Sequence, residues 1–150
     1  MRYVLDASVA VKWALPEVDS DKAILLRDEF SRGLHELLSP DIFPIEVAHS
    51  LTRAERQKRI SPADGALALA DLLKNLPDLH PSIPLLGRAY TISSAVRIGV
   101  YDCLYLALAE REKCELVTGD DKLVKNLQKT FPFITPLSAL PGTAPPTTGS

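Results

Sequence analysis

Two stretches decide the fold: RYVLDASV at residues 2–9 and CELVTGDDKL at residues 114–123. In each, a short run of apolar or β-favouring residues passes straight into aspartate, Asp6 in the first, Asp120 and Asp121 in the second. Such a run, bounded by polar turn residues, reads as a buried strand. A carboxylate at the end of a buried strand is costly unless it caps, pairs or ligates something. The rest of the chain has to supply the reason that both strands end this way.

After the first strand, at 2–5, SVAVKWALPE and SDKAILLRDEFSRG carry the three-to-four-residue apolar spacing of helices, broken at Pro16 and stopped at Gly33. HELLSP reads as a second strand, and IEVAHSLTRAERQK, from Pro44 on, as a helix with Ile45, Ala48 and Leu51 on one face. SPAD at 61–64 supplies a Ser N-cap, a Pro at the first helical position and an acid two residues on, opening a helix through DGALALADLLKNL that Pro77 ends. A short strand at Leu79 and His80 follows, then a helix LLGRAYTISSAVRIG closed by Gly99, then VYDCLYLALAEREK with an almost continuous apolar face. The strand at 115–117, a short helix at 122–129 and an edge strand in PFITPL complete the order. Strands alternating with helices predict an α/β fold, a single domain over 1–140 whose parallel sheet is sandwiched between helices. The tail at 141–150, PGTAPPTTGS, has almost nothing to bury and is expected to be disordered.

Composition narrows the function. The 150 residues are 46% hydrophobic and 24% charged, as in an ordinary soluble globular protein. A net charge of -2 gives no global basic field, so any nucleic-acid contact must be local. Cys103 and Cys114 form no C-x-x-C pair and are expected to be reduced and buried. With no stretch of signal-peptide or membrane-span character, the expected location is the cytoplasm, with no membrane partner.

In an open parallel sheet, ligands bind beyond the carboxyl ends of the strands. Asp6 and Asp120 follow two such ends, while Glu46 and Asp102 fall in the first turns of helices whose starts face the same edge. Taken singly, these acids have ordinary explanations: a helix N-cap for Asp6, dipole complements for Glu46 and Asp102, an Asx turn for Asp120. Together they would repel, by roughly 4 kcal/mol for two charges about 4 Å apart at an effective dielectric of 20. A divalent cation removes that cost. All-oxygen ligation points to Mg²⁺, with Mn²⁺ able to substitute, and such sites suit phosphodiester hydrolysis.

VLDASVAVKW with Asp6 and Ser8, SPDIFPIEVAHSL with Glu46, YDCLYLALAE with Asp102, and VTGDDKL with Thr118 and Asp120 together resemble a PIN domain, most closely a VapC-type toxin of a toxin–antitoxin pair. The resemblance runs over residues 2–138. It implies a five-stranded parallel sheet, Mg²⁺- or Mn²⁺-dependent endoribonuclease activity on an RNA substrate, neutralisation by a cognate antitoxin, and a homodimer. Carried over by position, it makes Asp6, Glu46, Asp102 and Asp120 the catalytic acids. Asp6, Asp102 and Asp120 would ligate metal, with Glu46 acting through water or on a second ion and Ser8 and Thr118 supporting. Two aspartates follow Gly119; T-x-D favours Asp120, and Asp121 is left as a second-site ligand or the N-cap of the next helix. The alternative function is a PIN-fold module that binds RNA or a partner without catalysis.

RAERQKR places Arg53, Arg56, Lys58 and Arg59 on the helix of Glu46, either to guide RNA toward the acids or as a solvated helix end complementing the macrodipole. Lys122, Lys125 and Lys129 form a second, blander basic face. A single E-x-x-H, Glu46 and His49, falls short of a di-iron motif, and His35 and His80 lack partners at ligand spacing, so all three histidines are taken as structural or exposed. Trp13 and the LYLALA run are expected in the core or a subunit interface. No G-x-G-x-x-G or Walker phosphate loop is present, and the D-x-D of haloacid-dehalogenase-like phosphatases is D-x-S here.

Overall fold

The structure, a computed structural model, describes residues 1–142. The expectation of disorder beyond that point concerns residues 143–150, which lie outside the described residues. Tyr3, Val4 and Leu5 build the first strand, β1 (Arg2–Leu5), and all three are buried, so side chains on both faces of this strand are covered. That is the mark of a parallel strand with helices on either side. Four more strands join it: β2 (Glu36–Pro40), β3 (Asp78–His80), β4 (Glu115–Thr118) and β5 (Ile134–Pro136). All pairs are parallel, in the order β3-β2-β1-β4-β5, which confirms the five-stranded sheet and places β5 at an edge as predicted.

The order reverses at β1. The chain builds outward through β2 and β3, then returns to lay β4 on the other side of β1, in register from Tyr3 opposite Glu115 to Leu5 opposite Val117. This reversal is the topological switch point, where the loops leaving adjacent strands diverge and leave a crevice. Asp6 and Asp120 leave those two strands.

Among the described residues seven helices surround the sheet: α1 (Ala7–Ala14), α2 (Ser20–Ser31), α3 (Phe43–Arg56), α4 (Pro62–Lys74), α5 (Ile83–Val96), α6 (Val100–Glu112) and α7 (Asp121–Leu127), with a 3₁₀ turn at Leu137–Ala139. The Ser61 hydroxyl accepts from Asp64 N at the start of α4, as the SPAD signature predicts. α6 lies against β1, β2 and β4 and is buried from Cys103 through Ala109, the pattern of a helix enclosed on all sides. No single helix among the described residues is long and apolar enough to cross a membrane. Both cysteines are free thiols; Cys103 is buried and Cys114 only partly so.

Three local expectations are corrected. α5 is closed not by Gly99 but by Arg97, which takes the left-handed conformation at φ 58°; Gly99, at φ -58°, is the residue before α6. α3 ends at Arg56, because Lys58 turns left-handed at φ 60° and the N–H of Arg59 folds back to Ala54 O. Lys58 and Arg59 therefore lie beyond the helix. Asp121 is not the cap of α7: it is the first helical residue, and Asp120 is the cap.

Candidate active site

Asp6 ends β1 with extended backbone (φ -76°, ψ 146°) and stands at the N-cap position of α1, yet its side chain does not cap that helix. Instead its Oδ2 accepts from the Ser8 hydroxyl at 2.6 Å and from the Thr118 hydroxyl at 2.8 Å. Each hydroxyl is held in turn by a backbone N–H of the loop after β4. Gly119 N donates to Ser8 Oγ at 2.9 Å and Asp120 N to Thr118 Oγ1 at 3.0 Å. Two hydroxyls thus tie the loops of the two switch-point strands together through one carboxylate.

Asp120 has a double role. One oxygen, Oδ1, accepts from Lys122 N at 3.0 Å and Leu123 N at 3.2 Å, capping α7, while the residue also lines the crevice. Asp121 is exposed and is not part of the crevice wall. The structure therefore brings Asp120, and not Asp121, to the other acids.

Glu46 lies in the first turn of α3 and its Oε1 accepts from the Tyr105 hydroxyl at 2.7 Å. Tyr105 is 1% exposed and comes from α6, three residues after Asp102. Burial first, then the nearby charges of Asp6 and Glu46, hold its phenol protonated and a donor. The sequence placed LYLALA in the core or a subunit interface and gave Tyr105 no part in the site. The available signal was a lone hydroxyl in an otherwise aliphatic run, since a buried tyrosine needs a partner for its O–H.

Asp102, in the first turn of α6, accepts no hydrogen bond from the protein among the described residues. Burial, followed by the charges of Asp6, Asp120 and Glu46, pushes its carboxyl up to about 6. Asp6 is raised as well, by burial above all and then by Asp120, against the lowering effect of its two hydroxyl donors. Burial also raises Glu46, with Asp6 adding to the shift and the Tyr105 hydroxyl and His49 opposing it. Three of the four acids are thus raised partly by one another's charge.

All four acids and Ser8 line one cleft of about 650 Å³, while Thr118 is buried behind Asp6. His49, Ser50, Ile45 and Tyr101 share the wall, and Ile45 and Tyr101 are well exposed on the rim. Arg53, Arg56 and Arg59 do not line this cleft. Arg59 pairs with Glu17 at 2.8 Å. His35 pairs with Glu29, and His80 with Asp78 and Arg111, both outside the cleft. Trp13 packs at the margin of the core, donating to Ala23 O at 2.9 Å.

The donors are hard oxygens without sulfur, the chemistry of Mg²⁺ or Mn²⁺. Among the described residues no three His, Cys, Asp or Glu side chains are gathered tightly enough to hold an ion as they stand. Asp6, Glu46 and Asp102 are each raised partly by a neighbouring acid's charge, a repulsion that a bound cation would relieve. The residues fit an oxygen-ligated divalent cation on chemistry, with some closure required of the side chains.

A cleft of four carboxylates at the switch point of a five-stranded parallel sheet defines a class, and comparison with known proteins agrees with it. The PIN domain family model matches residues 3–127. The chain belongs to the PIN domain family, and its curated relatives are of the VapC type. It is 32% identical over 133 residues to the VapC ribonuclease Mb0985 of Mycobacterium bovis, covering 87% of this chain and 94% of that one. It is 28% identical over 139 residues to ribonuclease VapC3 of Pyrobaculum aerophilum, covering 91% and 100%. Among solved structures, PAE2754 from Pyrobaculum aerophilum matches with a TM-score of 0.65 at 21% identity, over 92% of this chain and 93% of that one. VapBC2 from Rickettsia felis, bound to a DNA fragment from their promoter, matches at 0.61 and 17% identity, over 91% and 97%. At these identities the structural likeness speaks for the fold.

Proposed function

We propose that this chain is a metal-dependent endoribonuclease, the toxin of a VapBC-type toxin–antitoxin pair, with Mg²⁺ as its cation and Mn²⁺ able to replace it. The observation that carries the reading is the cleft itself: four acids from four separate segments line it, and three are raised partly by one another's charge. A scaffold that only bound a partner would have no use for that repulsion. The names of the curated relatives support ribonuclease activity, and the VapBC2 complex supports a cognate antitoxin. The same reading makes the protein a cytoplasmic homodimer.

Asp6, Asp102 and Asp120 would hold the ion, with Glu46 acting through water or on a second ion. A bound divalent cation lowers the pKa of an attacking water and stabilises the leaving oxygen. The protein groups prepare that chemistry. Ser8 and Thr118 fix one oxygen of Asp6, Oδ2. The Tyr105 hydroxyl does the same for Glu46. Capping of α7 aims Asp120 by occupying its Oδ1 and leaving Oδ2. Three of the four carboxylates are thus oriented through one oxygen, and Asp102, with no such tether, is the one free to adjust.

The test is cleavage of total RNA by purified protein with Mg²⁺, with Mn²⁺ and with EDTA, with Asp6→Asn and Asp102→Asn in parallel. Cleavage is expected only with metal, leaving 5′-phosphate and 3′-hydroxyl ends, and neither variant should cut. Fragments ending in 2′,3′-cyclic phosphate, or variants as active as the wild type, would overturn the reading.

A further inference from the structure

The acidic cleft does not stop at the acids. Ser50 lines it and also lines a second cavity, of about 280 Å³, whose wall includes Arg53, Gln57 and Arg59. The two cavities thus adjoin at Ser50 on α3. At about 100° per residue, Arg53 and Gln57 lie within about 20° of Glu46 around the helix and Ser50 within about 40°, whereas Arg56 lines neither cavity. Arg53 is also about 10 Å farther along the helix axis than Glu46. One face of α3 thus runs from a carboxylate through His49 and Ser50 to a guanidinium.

The charges along this face differ in availability. Arg59 is already paired with Glu17, which Lys12 also approaches at 3.6 Å. Arg53 makes no ion pair among the described residues and is exposed. A polyanion brought to a cleft of four acids needs cationic contacts beside it, and a groove that tracks the backbone is how single strands are held without base pairing.

We propose that the α3 face carrying His49, Ser50, Arg53 and Gln57 is the track along which single-stranded RNA leaves the acidic cleft, with Arg53 contacting a phosphate one or two nucleotides from the scissile one. This rests on the ribonuclease reading above. It also divides the basic candidates of the sequence: Arg53 is on the track, Arg56 is off it, and Arg59 serves the Glu17 pair.

The experiment measures binding of short fluorescein-labelled single-stranded RNA of mixed sequence by anisotropy across a salt series, with Mg²⁺, in an Asp102→Asn background. Adding Arg53→Ala should weaken binding and reduce the slope of log K against log salt by about 0.7, one phosphate contact on a single strand. Arg53→Lys should restore the slope, and Arg56→Ala should leave it unchanged. An unchanged slope in Arg53→Ala, equal losses in Arg53→Ala and Arg56→Ala, or no measurable binding in the background would overturn the track. The cleavage arm separates the two ideas: if Asp102→Asn protein cuts RNA as the wild type does, the ribonuclease reading fails, whereas loss of the track alone leaves metal-dependent cleavage in place.

Discussion

Asp102→Asn should stabilise the metal-free protein while abolishing its activity. The carboxyl of Asp102 moves from 3.8 to about 6 through burial and three neighbouring acids. A folded-state pKa above the unfolded one means that the native state holds the proton more tightly. The cost of this acid is therefore absent below about pH 4, grows as pH rises, and is complete above about 6. At about 1.36 kcal/mol per unit the whole shift would be about 3 kcal/mol, but the group is partly solvated, and screening reduces this to about 1–2 kcal/mol. Asparagine keeps the shape and removes the charge. For a domain of this size the gain corresponds to a rise in Tm of roughly 3–6 °C. Thermal denaturation by circular dichroism, in EDTA at pH 4 and pH 7.5, should show the gain only at the higher pH. Adding Mg²⁺ should raise the wild type and leave the variant nearly unmoved, as expected when a ligand binds only the native state. A variant equal to or less stable than wild type at pH 7.5 without metal would refute the argument that the acids repel one another in the folded cleft.

Other substitutions separate support from ligation. Thr118→Val removes a donor to Asp6 and the acceptor of Asp120 N–H; it should cost about 1–3 kcal/mol in a urea melt and lower metal-dependent cleavage by about 10-fold or more. Asp120→Asn keeps a side chain able to cap α7, so its urea midpoint should match wild type while its Mg²⁺-induced stabilisation disappears. Asp120→Ala should lose both, with about 1 kcal/mol of stability gone. Tyr105→Phe leaves Glu46 without its donor; stability should fall by about 1 kcal/mol, and the pH profile of cleavage should shift upward as Glu46 becomes harder to ionise.

The three central strands were legible because most of their residues are buried on both faces, so VL, LLSP and LVT stand out without any alternation to interpret. Helix ends were less so. Three of them depend on Lys58, Arg97 and Lys113 adopting left-handed backbone, which nothing in an arginine or lysine announces. Which of Asp120 and Asp121 caps α7 is likewise a matter of backbone geometry, which two adjacent identical side chains cannot reveal in sequence. The acids themselves were visible as charges in apolar surroundings. Tyr105 was not, because its hydroxyl acts across 59 residues of chain on a helix that otherwise reads as core.

The Thr118 hydroxyl reaches Asp6 across 112 positions, and β4 is the strand that closes the crevice beside β1. Synthesis runs from the N-terminus, so Asp6, Glu46 and Asp102 all emerge before the strand that supplies Thr118 and Asp120. Until that strand docks, Asp6 has one of its two hydroxyl supports missing and the fourth acid is absent. If cleavage needs all four acids, the site is complete only once the last central strand takes its place.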